Sequence, residues 1–419
     1  MKNICLFFQI HQPLLLKRYR FFDIGQNHYY YDDFQTEENL AYVVENSYIK
    51  ANNTLLEMIR SSNGKFRCSF ALSGLAIELF EQYAPEVIDS FRELAKTASV
   101  EFLAMPYSNS PAAVYDLDEF ERQAQLLSDK IEELFGKRPT TFFNTEMIYS
   151  DEIGEKISKM GYRSVFIDEA KHVMGWKSPN YIYCHSYMPK LQLLVRNNKL
   201  SDDIALNFQK LSLKAEDYIR WVASLPEGEN QVNIGMSYDA LGILQPEYSG
   251  IFNFLKSLPY FAMEQQVGFV LPRDIAKSAD HKESLSVPYP MSWAGSEKNL
   301  TAWTGNDLQQ EALNKLYAVS ERVNLCADNS LKHDWLMLQS IDNFRYMSHV
   351  DAYKTHYETA YDAFVNYMNV LADFLQRVNA QYPTSIENEE LNALLKTINN
   401  QESEIAKLES EIARLKKRS

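Results

Sequence analysis

What this chain has little of narrows it first. Its 419 residues include four cysteines, Cys5, Cys68, Cys184 and Cys326, far apart and with no Cys-x-x-Cys pair. Neither a zinc ribbon nor a disulfide framework is therefore expected, and the thiols read as buried groups in a reducing compartment. No stretch approaches the roughly 18 apolar residues that a membrane-crossing helix needs. The N-terminal apolar run, residues 4–10, is interrupted by Gln9 and leads into His11-Gln12-Pro13 without a small-residue cleavage site. It reads as a buried strand and not as a signal peptide, which makes the cytoplasm the expected location. Positive charge is also short: 42 Lys and Arg stand against 56 Asp and Glu, a net charge of −14, with no long basic patch. Nucleic acid and anionic membranes are poor partners for such a surface.

What is there is globular and aromatic. Hydrophobic residues make up 46% and charged residues 23%, which argues against disorder or a fibrous repeat. The aromatic share is 13%, with 26 Tyr and 23 Phe, and rings beyond the needs of a core suit flat apolar partners such as sugar faces. At roughly 150 residues per domain the length allows two or three domains, although a barrel absorbs about 250 residues into one.

Short apolar runs recur at residues 4–10, 67–72, 100–104, 141–143, 164–167, 191–195 and 232–236. Between them, stretches such as 85–97 and 118–135 space apolar residues three and four apart, and Gly136 closes the second. Strand alternating with helix predicts parallel strands joined by helical crossovers, an α/β architecture. Seven such strands fit a TIM-like barrel, with ligands handled at the carboxyl ends of the strands. From about residue 306 the pattern changes to long helices at 307–326, 331–347 and 359–378, a helical bundle. Residues 380–387, with Pro383, read as a linker.

Beyond it the period becomes seven. Leu391, Ile398, Ile405 and Ile412 occupy one heptad position, and Leu394, Gln401, Leu408 and Leu415 another. Ile at a and Leu at d favour a parallel two-stranded coiled coil over 388–417, with Gln401 as a register-setting layer, and hence a homodimer. The alternative is one amphipathic helix folded back on the bundle.

Acids, histidines and aromatic residues at strand ends are the candidates for chemistry: His11, Glu146, Asp168 and the Tyr238-Asp239 pair. Each has a structural reading as well, since a histidine after a strand often only hydrogen-bonds and an acid at a strand-to-helix junction often caps the helix. Glu146 stands out because no charge precedes it for several residues, and an acid at the end of a buried strand is costly unless used or paired.

The segments His11-Gln12-Pro13, Val100-Glu101-Phe102-Leu103, Phe143-Asn144-Thr145-Glu146-Met147-Ile148-Tyr149, Leu200-Ser201-Asp202-Asp203-Ile204, Ser292-Trp293-Ala294, Leu300-Thr301-Ala302-Trp303-Thr304-Gly305-Asn306 and Tyr367-Met368-Asn369-Val370-Leu371-Ala372-Asp373 resemble, in order and spacing, glycoside hydrolase family 57 and its α-amylase branch. The similarity runs from residue 1 to about 378 and leaves out the heptad tail. The resemblance implies an incomplete seven-stranded (β/α) TIM-like barrel over 1–275 and a helical bundle over 276–379. It also implies action on α-1,4-glucans with retention at the anomeric carbon and no metal or other cofactor. Retention needs two carboxyl groups about 5–5.5 Å apart, a nucleophile and an acid for the leaving oxygen. The family's Asn-Thr-Glu-Leu-Ile-Tyr motif puts the nucleophile at Glu146. Substrate-binding positions implied in the same way are His11, Gln12, Tyr107, Asn109, Tyr238, Trp293, Trp303 and Asp342, contacting an α-glucan or maltooligosaccharide.

The acid is where the sequence departs. The family's Met-Asp-Tyr-Glu-Thr-Phe-Gly pattern reads Met236-Ser237-Tyr238-Asp239-Ala240-Leu241-Gly242 here, so Ser237 stands in the acid's place. A serine hydroxyl does not serve as a general acid near neutral pH, a contribution typically worth about 10² to 10⁴ in rate. Asn109 replaces an expected histidine, Gly295 an aspartate, and Asn343 a histidine. Two readings follow. The favoured one is a maltodextrin-binding protein with hydrolysis lost or strongly reduced, made bivalent by its tail. The other is an active retaining hydrolase or glucanotransferase in which Asp239, two residues along a continuing strand and about 6.6 Å further on, serves as a displaced acid.

Overall fold

The computed structural model describes residues 1–277, 283–349 and 355–381 and, further on, scattered positions between 394 and 412. Ten strands are described: β1 (Lys2–Ile10), β2 (Cys68–Leu72), β3 (Val100–Phe102), β4 (Thr141–Phe142), β5 (Ser164–Ile167), β6 (Ile182–His185), β7 (Gln192–Val195), β8 (Gln231–Ser237), β9 (Val267–Phe269) and β10 (Ser284–Leu285). They form two five-stranded sheets. One runs β3-β2-β1-β8 with β9 also on β1, and the other runs β10-β6-β7-β5-β4.

Every pair in the first sheet is parallel. In the second, β4, β5 and β7 are parallel, while β6 runs antiparallel to β7. β1 is the hub, because its residues 4–10 are buried on both faces and read as a near-continuous apolar run. One edge takes β8 from Asn3 to Gln9, and the other is shared by β9 at Lys2–Ile4 and β2 at Phe7–Ile10. Phe7 fills the space between the sheets, stacked at 4.0 Å on Phe166 of β5. Gly235 makes room for it, since a Cβ there would lie 1.9 Å from the Phe7 ring.

The expected barrel is not one continuous ladder. The sheets meet through single parallel bridges, Ala104 with Phe142 and Arg196 with Asn233. At the first seam β3 has three residues and β4 two, which leaves few ladder positions.

The predicted crossover helices form as Pro85–Ala95 and Leu117–Phe135. Asp116 caps the second by accepting from the amides of Asp118 and Glu119, and Gly136 ends it at φ 76°. The predicted long helices of the C-terminal region are interrupted. Residues 307–326 divide into Asp307–Tyr317 and Ser320–Leu325, and 331–347 into Asn329–Leu338 and Ile341–Arg345, before Ala360–Gln381. At the second break the Gln339 amide donates to Glu119 and accepts from Gln123, two long-range contacts, and Ser340 bonds Asp342 locally across the turn.

Of the expected linker 380–387, residues 380 and 381 still belong to the helix Ala360–Gln381, and the rest, with most of the heptad segment, lies outside the described residues. Those described there, including Leu394, Ile398, Ile405, Leu408 and Ile412, are helical and exposed. All four cysteines are buried and free, and no described helix is long and apolar enough to cross a membrane.

Candidate active site

A cleft of about 950 Å³ opens at the carboxyl ends of the parallel strands, lined by Glu146, Ser237, Asp239, His11, Gln12, Trp293 and Asp342 among others. Glu146 follows β4 in a tight turn. It and Met147 take left-handed backbone angles, φ 50° and 53°, a conformation costing about 1–3 kcal/mol per non-glycine residue. Asn144 holds that turn: its side chain accepts from the Thr145 amide at 2.9 Å and donates to the Ile148 carbonyl at 2.7 Å. The Trp293 amide anchors the turn again by donating to the Glu146 carbonyl at 3.1 Å.

Both carboxylate oxygens of Glu146 receive donors. Gln9 donates its side-chain amide to Oε1 at 3.1 Å, and the Trp293 indole N–H donates to Oε2 at 2.6 Å. Gln9 is the polar residue that interrupts the apolar run of β1, and it also donates to Asn109 at 3.3 Å. Trp293 is itself clamped. The Arg196 guanidinium lies 5.6 Å from its ring centre, and Lys298 donates to its carbonyl at 2.9 Å. Arg196 and Lys298 both pair with the fully buried Asp168, at 3.2 and 3.0 Å. Asp168 is thus a structural hub behind the tryptophan and does not line the cleft.

Ser237 is the last residue of β8, in register with Gln9 on β1. Adjacent strands lie about 4.8 Å apart, so residue 237 stands beside the side chain that contacts Glu146. The strand does not continue to Asp239. A short 3-10 turn, Tyr238–Ala240, begins immediately after Ser237, so the expected extended spacing does not apply.

Asp239 faces the His11 side of the cleft. Its Oδ1 accepts from the Tyr48 hydroxyl at 2.8 Å, and Tyr48 accepts from Gln12 at 2.6 Å. Burial pushes the Asp239 carboxyl up to about 6 from its ordinary 3.8; Asp342 adds to this, and Tyr48 and His11 oppose it. Burial and the Asp239 charge raise the Tyr48 phenol well above its ordinary range, so it remains a donor. Asp342 behaves in the opposite way. Its burial would raise it, yet His11 at 2.7 Å and Ser340 at 3.1 Å hold it below the ordinary carboxylate value. His11 bonds Ser73 with its other ring nitrogen at 2.9 Å.

Four of the implied binding positions do not line the cleft. Tyr238 is buried in the core, its hydroxyl donating to Asn52 and its ring stacked on Tyr48, because the turn after β8 swings it inward. Tyr107 packs against Gly74 and donates to Glu78. Trp303 is buried in the Thr301–Thr304 turn. Asn109, 1% exposed, meets the site from behind: its side chain accepts from Gln9, and its carbonyl accepts from the Ile341 amide, next to Asp342.

Three contributors escaped sequence reasoning. Gln9 was visible as the break in an apolar run and Arg196 as a charge directly after a strand, whereas nothing local marked Tyr48. Among the described residues, no three His, Cys, Asp or Glu side chains gather as a metal site.

A family model, Glycosyl hydrolase family 57, matches residues 5–288. A Methanocaldococcus jannaschii protein named "Putative alpha-amylase" is 29% identical over 396 residues, covering 88% of this chain and 83% of its own length. The crystal structure of a branching enzyme of that family from Thermococcus kodakaraensis, in complex with glucose and additives, superposes with a TM-score of 0.69 at 13% identity, over 94% of each chain. The 4-alpha-glucanotransferase from Thermococcus litoralis gives 0.67 at 13% identity over 88% of this chain, which spans only 59% of that larger protein. At such identities the structural likeness speaks for the fold.

Proposed function

Because the chain belongs to glycosyl hydrolase family 57, we propose that its cleft binds α-1,4-glucans and that its capacity to hydrolyse them is lost or strongly reduced. The observation that carries this is the register of Ser237 with Gln9, the residue whose amide contacts Glu146. On this reading a hydroxyl takes the place of the proton donor that the retaining mechanism requires beside the nucleophile. The hydrogen bonds from Gln9 and Trp293 that fix the Glu146 carboxylate support its reading as the nucleophile's position. His11, Asp342 and Trp293 offer hydrogen-bond groups and an aromatic surface for sugar hydroxyls and C–H faces. The organisation we propose is a seven-stranded (β/α) barrel over residues 1–275, supported by the two inter-sheet bridges, a helical bundle from 276 to the end of its last helix at Gln381, and a linker from 382 to 387. A dimerising helix over 388–417 completes it, supported by the exposure of its described apolar residues, and makes the protein a bivalent binder. The four buried free thiols favour the cytoplasm.

One observation favours the second reading. Asp239 lines the same cleft, and its carboxyl, raised to about 6, holds a proton in part of the population near neutral pH, as an acid catalyst would. Titration of maltoheptaose by calorimetry, with reducing ends measured in the same samples, tests the proposal. Binding without product release is expected, and weaker binding in Trp293→Ala. Turnover that vanishes in both Glu146→Gln and Asp239→Asn would establish the second reading instead, and no binding at all would overturn both.

A further inference from the structure

Carboxylates, amides and His11 share the lining of the cleft with apolar side chains such as Leu15, Leu40, Leu79 and Met236, which are buried; on the rim beside Asp239, at Tyr42, Val43, Leu206, Ile243 and Leu244, the apolar lining reaches solvent. Tyr42, Leu206 and Leu244 are 59%, 62% and 50% exposed. Leaving such apolar surface in water forfeits about 25 cal/mol per Å², and an apolar patch continuous with a polar cleft marks a binding surface.

These side chains are held outward by a rigid frame. The turn that presents Asp239 also presents Ile243 and Leu244, whose amides both donate to the Asp239 carbonyl, at 3.2 and 2.9 Å. The same turn closes on itself through the Gly242 amide and the Gln245 carbonyl at 3.0 Å. Gly242, at φ 108°, sits so close to the Asn46 carbonyl that a Cβ would lie 2.1 Å from it. Asn46 in turn donates to the Tyr42 carbonyl at 2.8 Å, and Gln245 donates to the Ala205 carbonyl at 3.0 Å, next to Leu206. The three chain segments that carry these side chains are thereby tied together as a ledge at one rim of the cleft.

From this ledge we infer a subsite for an apolar, non-sugar group attached to the glucan, an alkyl chain in particular. The inference rests on the glucan reading of the cleft. A pyranose face is flat and pairs with flat aromatic rings, whereas four of the five ledge residues are branched aliphatics, whose knobbed surface fits a flexible hydrocarbon. The polar groups of the cleft take the sugar head and the ledge takes the tail, so an amphiphilic glycoside matches the cleft in both chemistry and order.

The test is calorimetric titration with maltose, maltotriose and alkyl maltosides of increasing chain length, each below its micellar concentration. Affinity should rise by about fourfold per fully buried methylene over the first several carbons and then level off. In Leu206→Ser/Leu244→Ser that rise should flatten while the affinity for maltotriose is unchanged, which also shows the variant to be folded. A flat series in the wild type, with maltotriose bound, would overturn the alkyl subsite and leave the glucan reading standing. If affinity instead climbs with each added glucosyl unit and the double variant removes that gain, the ledge is a sugar subsite and the inference fails. A rise with alkyl length without any affinity for maltotriose would support the ledge while refuting the glucan reading, and no binding by either series would refute both.

Discussion

Glu146 and Asp239 share a cleft but are treated in opposite ways. Glu146 sits on two consecutive left-handed residues and receives two donors, so the fold spends local strain on aiming its carboxylate. Asn144 makes that turn possible. Asn144→Ala removes one acceptor and one donor inside a buried turn and should cost about 2–3 kcal/mol in urea unfolding, with weaker maltodextrin binding. Unchanged stability would show that the turn holds without it. Asp239 is sunk in the wall and keeps its proton longer than usual. Below about pH 4 it is protonated in both folded and unfolded chains. Between about 4 and 6 the folded chain still holds a proton that the unfolded chain has released, so stability falls as pH rises through this window. Above it the full penalty, at most about 3 kcal/mol for the rise from 3.8 to about 6, persists. Asp239→Asn lacks this penalty, so its Tm relative to wild type should increase from pH 4 to pH 7. A constant difference would contradict the assignment.

At the scale of elements, β1 organises the site. Its carboxyl end supplies Gln9 to Glu146, His11 to Asp342, and Gln12 to the Tyr48 that bonds Asp239. The position of that strand depends on Phe7 lying over Gly235, so Gly235→Ala should destabilise the protein by about 3 kcal/mol through overpacking and weaken ligand binding with it. Equal denaturation midpoints for the two chains would refute that dependence. The seven apolar runs read from the sequence correspond to β1, β2, β3, β4, β5, β7 and β8, because a strand buried on both faces is apolar throughout. β6, β9 and β10 escaped: β6 ends on His185, Gly268 interrupts β9, and β10 pairs one leucine with Ser284, so none stands out as an apolar run. The breaks at 318–319 and 339–340 escaped for a related reason: periodicity records the apolar face of a helix, not a Gln339 amide that reaches Glu119 and Gln123. In the site, motif reading found Glu146, Ser237, His11, Trp293 and Asp342. It also assigned Tyr238 and Trp303 to the cleft, although both are buried, because a motif gives sequence position and not the direction of a side chain.

For the whole molecule, the two sheets, the C-terminal helices and the heptad tail combine a fixed cleft with an apolar helical stripe. Leu394, Ile398, Ile405, Leu408 and Ile412 are 48–62% exposed, which is unfavourable for a lone helix and would be relieved by the proposed pairing with a second copy. Truncation after Ser385 should convert a sedimenting dimer to a monomer while leaving the affinity of each cleft for maltoheptaose unchanged. An unchanged sedimentation coefficient per chain would remove the dimer.

Of the replaced family positions, residue 237 is the one proposed to withhold the proton donor and so to limit hydrolysis in this cleft. The most direct measurement is reducing-end release from maltoheptaose by wild type and Ser237→Asp under the same conditions. The account predicts binding by both proteins, little or no release by wild type, and a gain of about 10² or more in Ser237→Asp that Glu146→Gln abolishes. Release by wild type at a rate that Ser237→Asp does not raise would contradict it.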